Sequence, residues 1–187
     1  MTVGGTEPAD LYARAVAHTR VAILGVRDGQ LGDATPCTDW DVAELRSHII
    51  LGATSCARSF GMSPPKPSDP VAAYDAATQA AITGMTRPGA LENIVTRYDG
   101  SRTPGAQLAT LMAMSNLVHG WDLAEATGQS TKLPDDLVEI FYAEFKPRMD
   151  TLRKGDAFAT SIDLDNDAST QDRLLGMMGR QAGSRED

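Results

Sequence analysis

The chain has 187 residues, 42 % of them hydrophobic, which is enough for one substantial core with room for a small appendage. Its net charge of −8 disfavours nucleic acid and anionic membranes as partners, because both would repel such a surface. The two cysteines match no zinc-ribbon or redox spacing, and neither a signal peptide nor an apolar run of roughly 18 residues is present. A cytoplasmic protein that binds a small molecule or another protein is therefore predicted.

Two helices are predicted in the first third of the chain. Apolar residues at helical spacing indicate a helix over residues 8–27, which the Gly and Pro residues of 28–36 end. The same period resumes over residues 38–60 and predicts a second helix. Its candidate N-caps are Thr38, Asp39 and Asp41. Glu44, three residues after Asp41, is the expected capping-box partner.

The middle of the chain predicts two more helices joined by a long crossover. Residues 71–85 are alanine-rich and follow a Ser-Asp-Pro start signal, which predicts a third helix. Residues 86–104 close it, and within them residues 91–98 fit either a short strand or an extended crossover. Residues 105–128 give the clearest helical pattern, with Gly128 as the expected C′ glycine. These elements predict an all-α four-helix bundle over residues 1–130.

Residues 131–187 differ in character and are predicted to form a C-terminal extension that packs on the bundle. Residues 133–154 are amphipathic, which predicts a fifth helix broken or bent by Pro147. The polar residues 155–168 are expected to run extended. A last short helix, capped by Ser169 or Thr170, is predicted to follow.

Two histidines fall among apolar residues of different predicted helices. His48 lies in the second helix and His119 in the fourth. A histidine inside a bundle must hydrogen-bond, ligate a metal or lose hydration at a cost, so the two form a natural pair of ligands. The alternative is that each is a core histidine whose hydrogen bonds are satisfied.

Asp122 is the best additional ligand on the fourth helix. It lies three residues after His119, and residues at this spacing share a helix face. Asp122 either completes a metal site or accepts the free N–H of His119, as partners of metal-bound histidines commonly do. A salt bridge or a helix cap is the alternative role.

The remaining candidates are two tryptophans and a cysteine. Trp40, eight residues before His48, is interpreted as a pocket or helix-start residue, and Trp121 as a residue that lines a pocket or a homodimer surface. Cys37 follows a proline at a predicted helix start, where the helix dipole lowers a thiol pKa, but it has no base next to it in sequence.

Three segments, "PCTDWDVAELRSH", "LVHGWDLAEATGQ" and "DASTQDRLLGMMGR", carry a resemblance that runs through nearly the whole chain. With them the sequence resembles the DinB/YfiT-like superfamily, and within it the branch grouped with mycothiol-dependent maleylpyruvate isomerase. The resemblance implies a four-helix bundle that holds a divalent metal, typically zinc or nickel.

The resemblance also implies a ligand set with one departure. Carried over, His48 is the first ligand and His119 the last, while the middle ligand, which is acidic or histidine in the family, falls on Ser115. A serine hydroxyl is a poor zinc ligand, so either Asp122 or water completes the site, or two histidines bind the metal weakly, or the metal has been lost and Ser115 lines a pocket.

Three hypotheses of function follow from these features, and no catalytic residue is assigned for any of them. The first is a metal-dependent protein that acts on a small molecule, by mycothiol-dependent transfer or isomerisation. The alternative is a metal-free bundle reused as a small-molecule-binding protein or cyclase in specialised metabolism. A non-catalytic binding or dimerisation module is the third hypothesis.

Overall fold

The structure is a computed structural model. It describes residues 2–149, 161–162, 164 and 167–181. Within these ranges the chain is mostly helical, with six α-helices and one two-stranded sheet. This content agrees with the predicted all-α class. The chain divides into two compact units, Met1–Lys132 and Leu133–Asp187. None of the described helices is both long and apolar enough to cross a bilayer.

Four helices form most of the first unit. Helix α1 covers Pro8–Leu24, α2 covers Val42–Ser59, α3 covers Pro70–Met85 and α4 covers Gly105–Thr127. Helix α1 packs against α3 and α4, and α2 packs against the same two helices. Each of the four helices therefore buries an apolar face against two others. Examples, one from each helix, are Leu11, Leu45, Ala81 and Leu117.

Local sequence signals account for most of the helix boundaries. The capping box at the start of α2 is confirmed: the Asp41 carboxylate accepts the Glu44 N–H at 2.9 Å, and Glu44 accepts the Asp41 N–H at 3.1 Å. Gly128 ends α4 in the left-handed region, with φ of 69°, as predicted. Helix α1 stops at Leu24, three residues short of the prediction, because the chain turns at Gly25.

A small antiparallel sheet links α3 to α4. Strand β1, Ile94–Thr96, pairs with β2, Arg102–Pro104, so that Val95 lies opposite Thr103. The predicted segment 91–98, which fitted either a strand or a crossover, thus contains a three-residue strand. Strand β2 was not predicted, because its Arg-Thr-Pro sequence shows no apolar alternation.

Helix α4 approaches α1 most closely at Gly120. A Cβ atom placed on Gly120 would lie 2.7 Å from the Thr19 hydroxyl oxygen. That hydroxyl donates a hydrogen bond to the Asn116 carbonyl at 2.8 Å, which fixes α4 against α1 one turn before Gly120. The backbone beside His119 is therefore held in place by close packing with α1.

The second unit contains the last two described helices. Helix α5 covers Asp135–Phe145 and gives way to a 3-10 turn at Lys146–Arg148, so the break predicted at Pro147 is present. Helix α6 covers Thr170–Met177 and is capped by Ser169, which accepts the Asp172 N–H at 3.1 Å. The predicted end of the fifth helix, residues 150–154, and most of the predicted tail, 155–168, lie outside the described residues.

Candidate metal centre

A turn stabilised by Thr35 carries the first residue of the site. The Thr35 hydroxyl accepts the Cys37 N–H at 3.1 Å and donates to the Trp40 carbonyl at 2.8 Å. The Trp40 N–H in turn donates to the Cys37 carbonyl at 2.9 Å. One threonine side chain thus orients both Cys37 and Trp40 just before α2 begins.

Three potential metal ligands converge between this turn and α4. Cys37 Sγ lies 3.2 Å from Asp122 Oδ2 and 3.8 Å from His119 Nδ1, and His119 Nδ1 lies 3.0 Å from Asp122 Oδ2. The ligand atoms of the three residues all lie within 4.8 Å of one another. Asp122 is fully buried, whereas the His119 side chain keeps 17 % of its surface exposed.

The Asp122 carboxylate orients the other two groups. A buried carboxylate requires hydrogen-bond donors, and here it faces the His119 ring nitrogen and the Cys37 thiol. Without a metal, the geometry favours a proton on Nδ1 of His119 that is donated to Asp122. That tautomer leaves Nε2 of His119 with a free lone pair. The contact between Asp122 and His119 is the one that their three-residue spacing predicts.

His48 and Trp40 form an aromatic group beside His119. The His48 ring centroid lies 4.1 Å from the Trp40 ring and 5.1 Å from the His119 ring, the latter in an edge-to-face arrangement. Partial burial, and then the neighbouring His119, lower the pKa of His48 below its usual range. His48 is therefore neutral at pH 7 and can act as an acceptor or a ligand.

An open depression of about 400 Å³ lies next to this aromatic group. It is lined by Trp40, Ala43, Glu44, Ser47, His48 and Leu51. Apart from Trp40, these residues all belong to one face of α2, because they recur at helical spacing. His48 both lines the depression and contacts the His119 ring, so a molecule that touches His48 in the depression would lie near the cluster.

The structure brings only some of the predicted site residues together. His119 and Asp122 lie together in the cluster, and His48 contacts His119 through its ring but lies outside the three-ligand set. Ser115 is half-buried, one helical turn before His119. Trp121 is only 2 % exposed and is absent from the lining of the depression, so it offers little surface to a homodimer partner.

Cys37 is the site residue that sequence reasoning did not assign. It precedes the first residue of α2, Val42, by five positions, so it lies in a turn and not in the first turn of that helix as expected. Its partners, His119 and Asp122, are 82 and 85 residues further along the chain. The sequence around Cys37 therefore gives no sign of these two partners.

The donor set of the cluster fits a transition metal. A thiolate sulfur, an imidazole nitrogen and a carboxylate oxygen are the three ligand types that zinc takes in proteins. Three protein ligands leave a fourth position open, which is typical of catalytic and not of structural zinc sites. Cys37, His119 and Asp122 could therefore hold a metal ion.

The fold and the cluster together define a mostly helical protein with a candidate Cys-His-Asp metal centre. The chain is similar to two Mycobacterium tuberculosis proteins, Uncharacterized protein MT0763 of strain CDC 1551 / Oshkosh and Uncharacterized protein Rv0738 of strain ATCC 25618 / H37Rv. Each is 29 % identical over 179 residues, which cover 93 % of this chain and 98 % of the relative. No protein-family profile and no solved structure matches the chain.

Proposed function

We propose that this protein is a DinB-like four-helix bundle that binds a divalent metal and acts on a small molecule, as a mycothiol-dependent transferase or isomerase. The observation that carries the proposal is the convergence of Cys37, His119 and Asp122, whose ligand atoms lie within 4.8 Å of one another. A resident zinc ion would lower the pKa of a thiol bound at its open position, so that a thiolate is present at neutral pH.

Cys37 can provide the anionic ligand that the serine at position 115 does not. In the pattern that the sequence resembles, the residue one turn before His119 provides a ligand, and Ser115 provides no anionic one. The Cys37 thiolate restores an anionic donor from outside α4, next to the same histidine. A thiolate in the set also favours zinc over harder cations such as magnesium, whereas nickel remains compatible with it.

The surrounding residues have distinct tasks in this proposal. Asp122 holds His119 and Cys37 in position through its buried carboxylate, whether or not it also ligates the metal. His48, neutral and partly exposed beside His119, is placed to accept a hydrogen bond from a molecule in the depression. Trp40 packs against the ring of His48, with the two centroids 4.1 Å apart.

A thiol-consumption assay tests this function. The protein is incubated with mycothiol and a panel of electrophiles, among them quinones, epoxides and unsaturated dicarboxylic acids, and loss of free thiol is followed by mass spectrometry of the products. We expect turnover that is removed by chelator, restored by zinc and abolished in His119→Ala. His18→Ala is the matched control, since His18 belongs to α1 and is not part of the cluster, and it should retain the rate.

Turnover that survives both chelator and the loss of His119 would contradict the proposal. Turnover with zinc but without any added thiol would support the metal centre and show that the reaction does not use mycothiol.

The second candidate function is the metal-free one, a small-molecule-binding protein or cyclase. It is favoured by one observation: Asp122 Oδ2 already lies within hydrogen-bond distance of both His119 Nδ1 and Cys37 Sγ, so the carboxylate is satisfied without a metal. In that case a hydrophobic ligand should raise the melting temperature in the presence of chelator, and zinc should not raise it in the absence of ligand.

A further inference from the structure

The depression beside the candidate metal centre has a composition that selects its occupant. Its volume is about 400 Å³, and it is open to solvent. Trp40 and His48 contribute two aromatic rings to it, with centroids 4.1 Å apart and planes inclined by 32°. Leu51, one helical turn after His48, is 65 % exposed although it is large and apolar. A flat, apolar compound lying on this surface would cover the rings and remove Leu51 from water.

Among the residues that the structure describes, the lining contains no positive group that could bind an anion. Neither lysine nor arginine is among its six residues, and its one carboxylate is that of Glu44. Glu44 keeps its position at the rim because its Oε2 accepts the Asp41 N–H at 3.1 Å. The net charge of −8 on the chain adds to the repulsion of a negative compound.

The N-terminus of α2 does not offer an anion-binding site either, although helix N-termini often bind anions. Its four leading N–H groups already donate: Val42 to the Asp33 carbonyl at 3.1 Å, Ala43 to the Leu31 carbonyl at 3.0 Å, Glu44 to the Asp41 carboxylate at 2.9 Å and Leu45 to the Asp41 carbonyl at 2.9 Å. No donor of this helix start is left for a phosphate or carboxylate of a ligand.

From these contacts we infer that the depression receives a planar organic compound without negative charge, preferably one with a cationic group next to Glu44. The inference rests on the proposed function in that this compound would be the substrate presented to the centre at His119. It narrows the substrate class, because it disfavours the dicarboxylic acids in the panel above and favours neutral quinones and flat aromatic electrophiles that carry a cationic substituent.

Three isosteric probes test the inference: benzamidine, benzamide and benzoate differ in charge and hardly in shape. Binding is followed by NMR through the indole N–H signal of Trp40, with Trp121, which is 2 % exposed, as an internal reference. Measurements are made with chelator present, so that no metal binds the probes. We expect benzamidine to bind about tenfold more tightly than benzoate, the ratio for reversing a unit charge about 6 Å from a carboxylate in water, with benzamide in between.

Two variants assign the selectivity to Glu44. Glu44→Gln keeps the oxygen that accepts the Asp41 N–H, so α2 should remain capped, and we expect the benzamidine to benzoate ratio to fall below about threefold. Glu92→Gln, an exposed glutamate outside the lining, is the matched control and should keep the ratio.

Two results would overturn the inference. One is equal or tighter binding of benzoate, and the other is the absence of any Trp40 shift with all three probes at saturating concentration. Metal is withheld throughout, so the two proposals can fail separately. If benzamidine binds more tightly than benzoate but the protein never binds zinc, the proposed function is contradicted and this inference stands. If the protein binds zinc but the probes bind without this preference, only this inference is contradicted.

Discussion

Replacing Asp122 by asparagine should weaken metal binding without unfolding the protein. Asparagine has nearly the same volume, so the fully buried position is neither emptied nor overfilled. It loses the negative charge, however, and a neutral amide oxygen accepts more weakly than a carboxylate from the two groups that now face Asp122 Oδ2, His119 Nδ1 and Cys37 Sγ. If the amide NH₂ takes the Oδ2 position instead, neither group has an acceptor there. In both orientations the two metal ligands are held less firmly.

The size of this effect follows from the role of the carboxylate. Partners that orient a metal ligand change metal affinity by about 10–100-fold when removed, which corresponds to about 1.4–2.7 kcal/mol. If Asp122 is itself a ligand, the loss should lie at or beyond the upper end of this range, because an anionic donor disappears from the set. Zinc affinity is measured at pH 7.5 by competition with a chromophoric chelator.

Asp75→Asn is the matched control for this variant. Asp75 is 41 % exposed and pairs with Arg20 at 2.7 Å on the surface of the same unit, so its replacement should change zinc affinity by less than about twofold. Circular dichroism and urea denaturation of the metal-free proteins confirm that both variants fold. A folded Asp122→Asn protein with wild-type zinc affinity would refute the reasoning.

Three further predictions concern reactivity, packing and pH. Burial raises the pKa of the Cys56 thiol to about 12, so in the metal-free protein at pH 8 a disulfide reagent should titrate one thiol quickly, and Cys37→Ser should remove that phase; fast modification of two thiols would contradict this. Gly120→Ala should lower the free energy of unfolding by about 1–3 kcal/mol, because the new methyl group would lie 2.7 Å from the Thr19 hydroxyl; unchanged urea midpoints would exclude such close packing. Burial lowers the pKa of His18, so its contribution to stability is present above the unfolded value of about 6.5 and is lost as the pH falls towards the lower folded value. Urea midpoints of His18→Gln should accordingly fall less between pH 7.5 and pH 5 than those of the wild type, and parallel curves would show that His18 contributes nothing.

The helices were predictable because their signals are local. The capping box of Asp41 and Glu44, the C′ glycine at Gly128 and the cap at Ser169 each depend on residues within one helical turn. Strand β2, Arg102–Pro104, escaped prediction because its pairing with β1 is set by the register of the chain around Gly100 and not by its own composition.

The candidate metal centre was predictable only where its residues share a helix. His119 and Asp122 belong to one helix face, so their spacing indicated their contact. The ring contact between His48 and His119 depends on the packing of two helices, which the pattern of neither helix encodes. Cys37 lies in an irregular turn whose approach to α4 depends on the packing of the whole first unit, which no local pattern encodes.

Metal content measured on four proteins tests the central claim most directly. The wild type, Cys37→Ser, His119→Ala and Ser115→Ala are purified without chelator or a nickel column and analysed for zinc and nickel. We predict about one metal ion per chain in the wild type and in Ser115→Ala, and little metal in Cys37→Ser and His119→Ala, because the thiolate and the imidazole are ligands and the serine is not. A wild-type protein without metal, or a Cys37→Ser protein with wild-type metal content, would contradict a centre built on Cys37, His119 and Asp122.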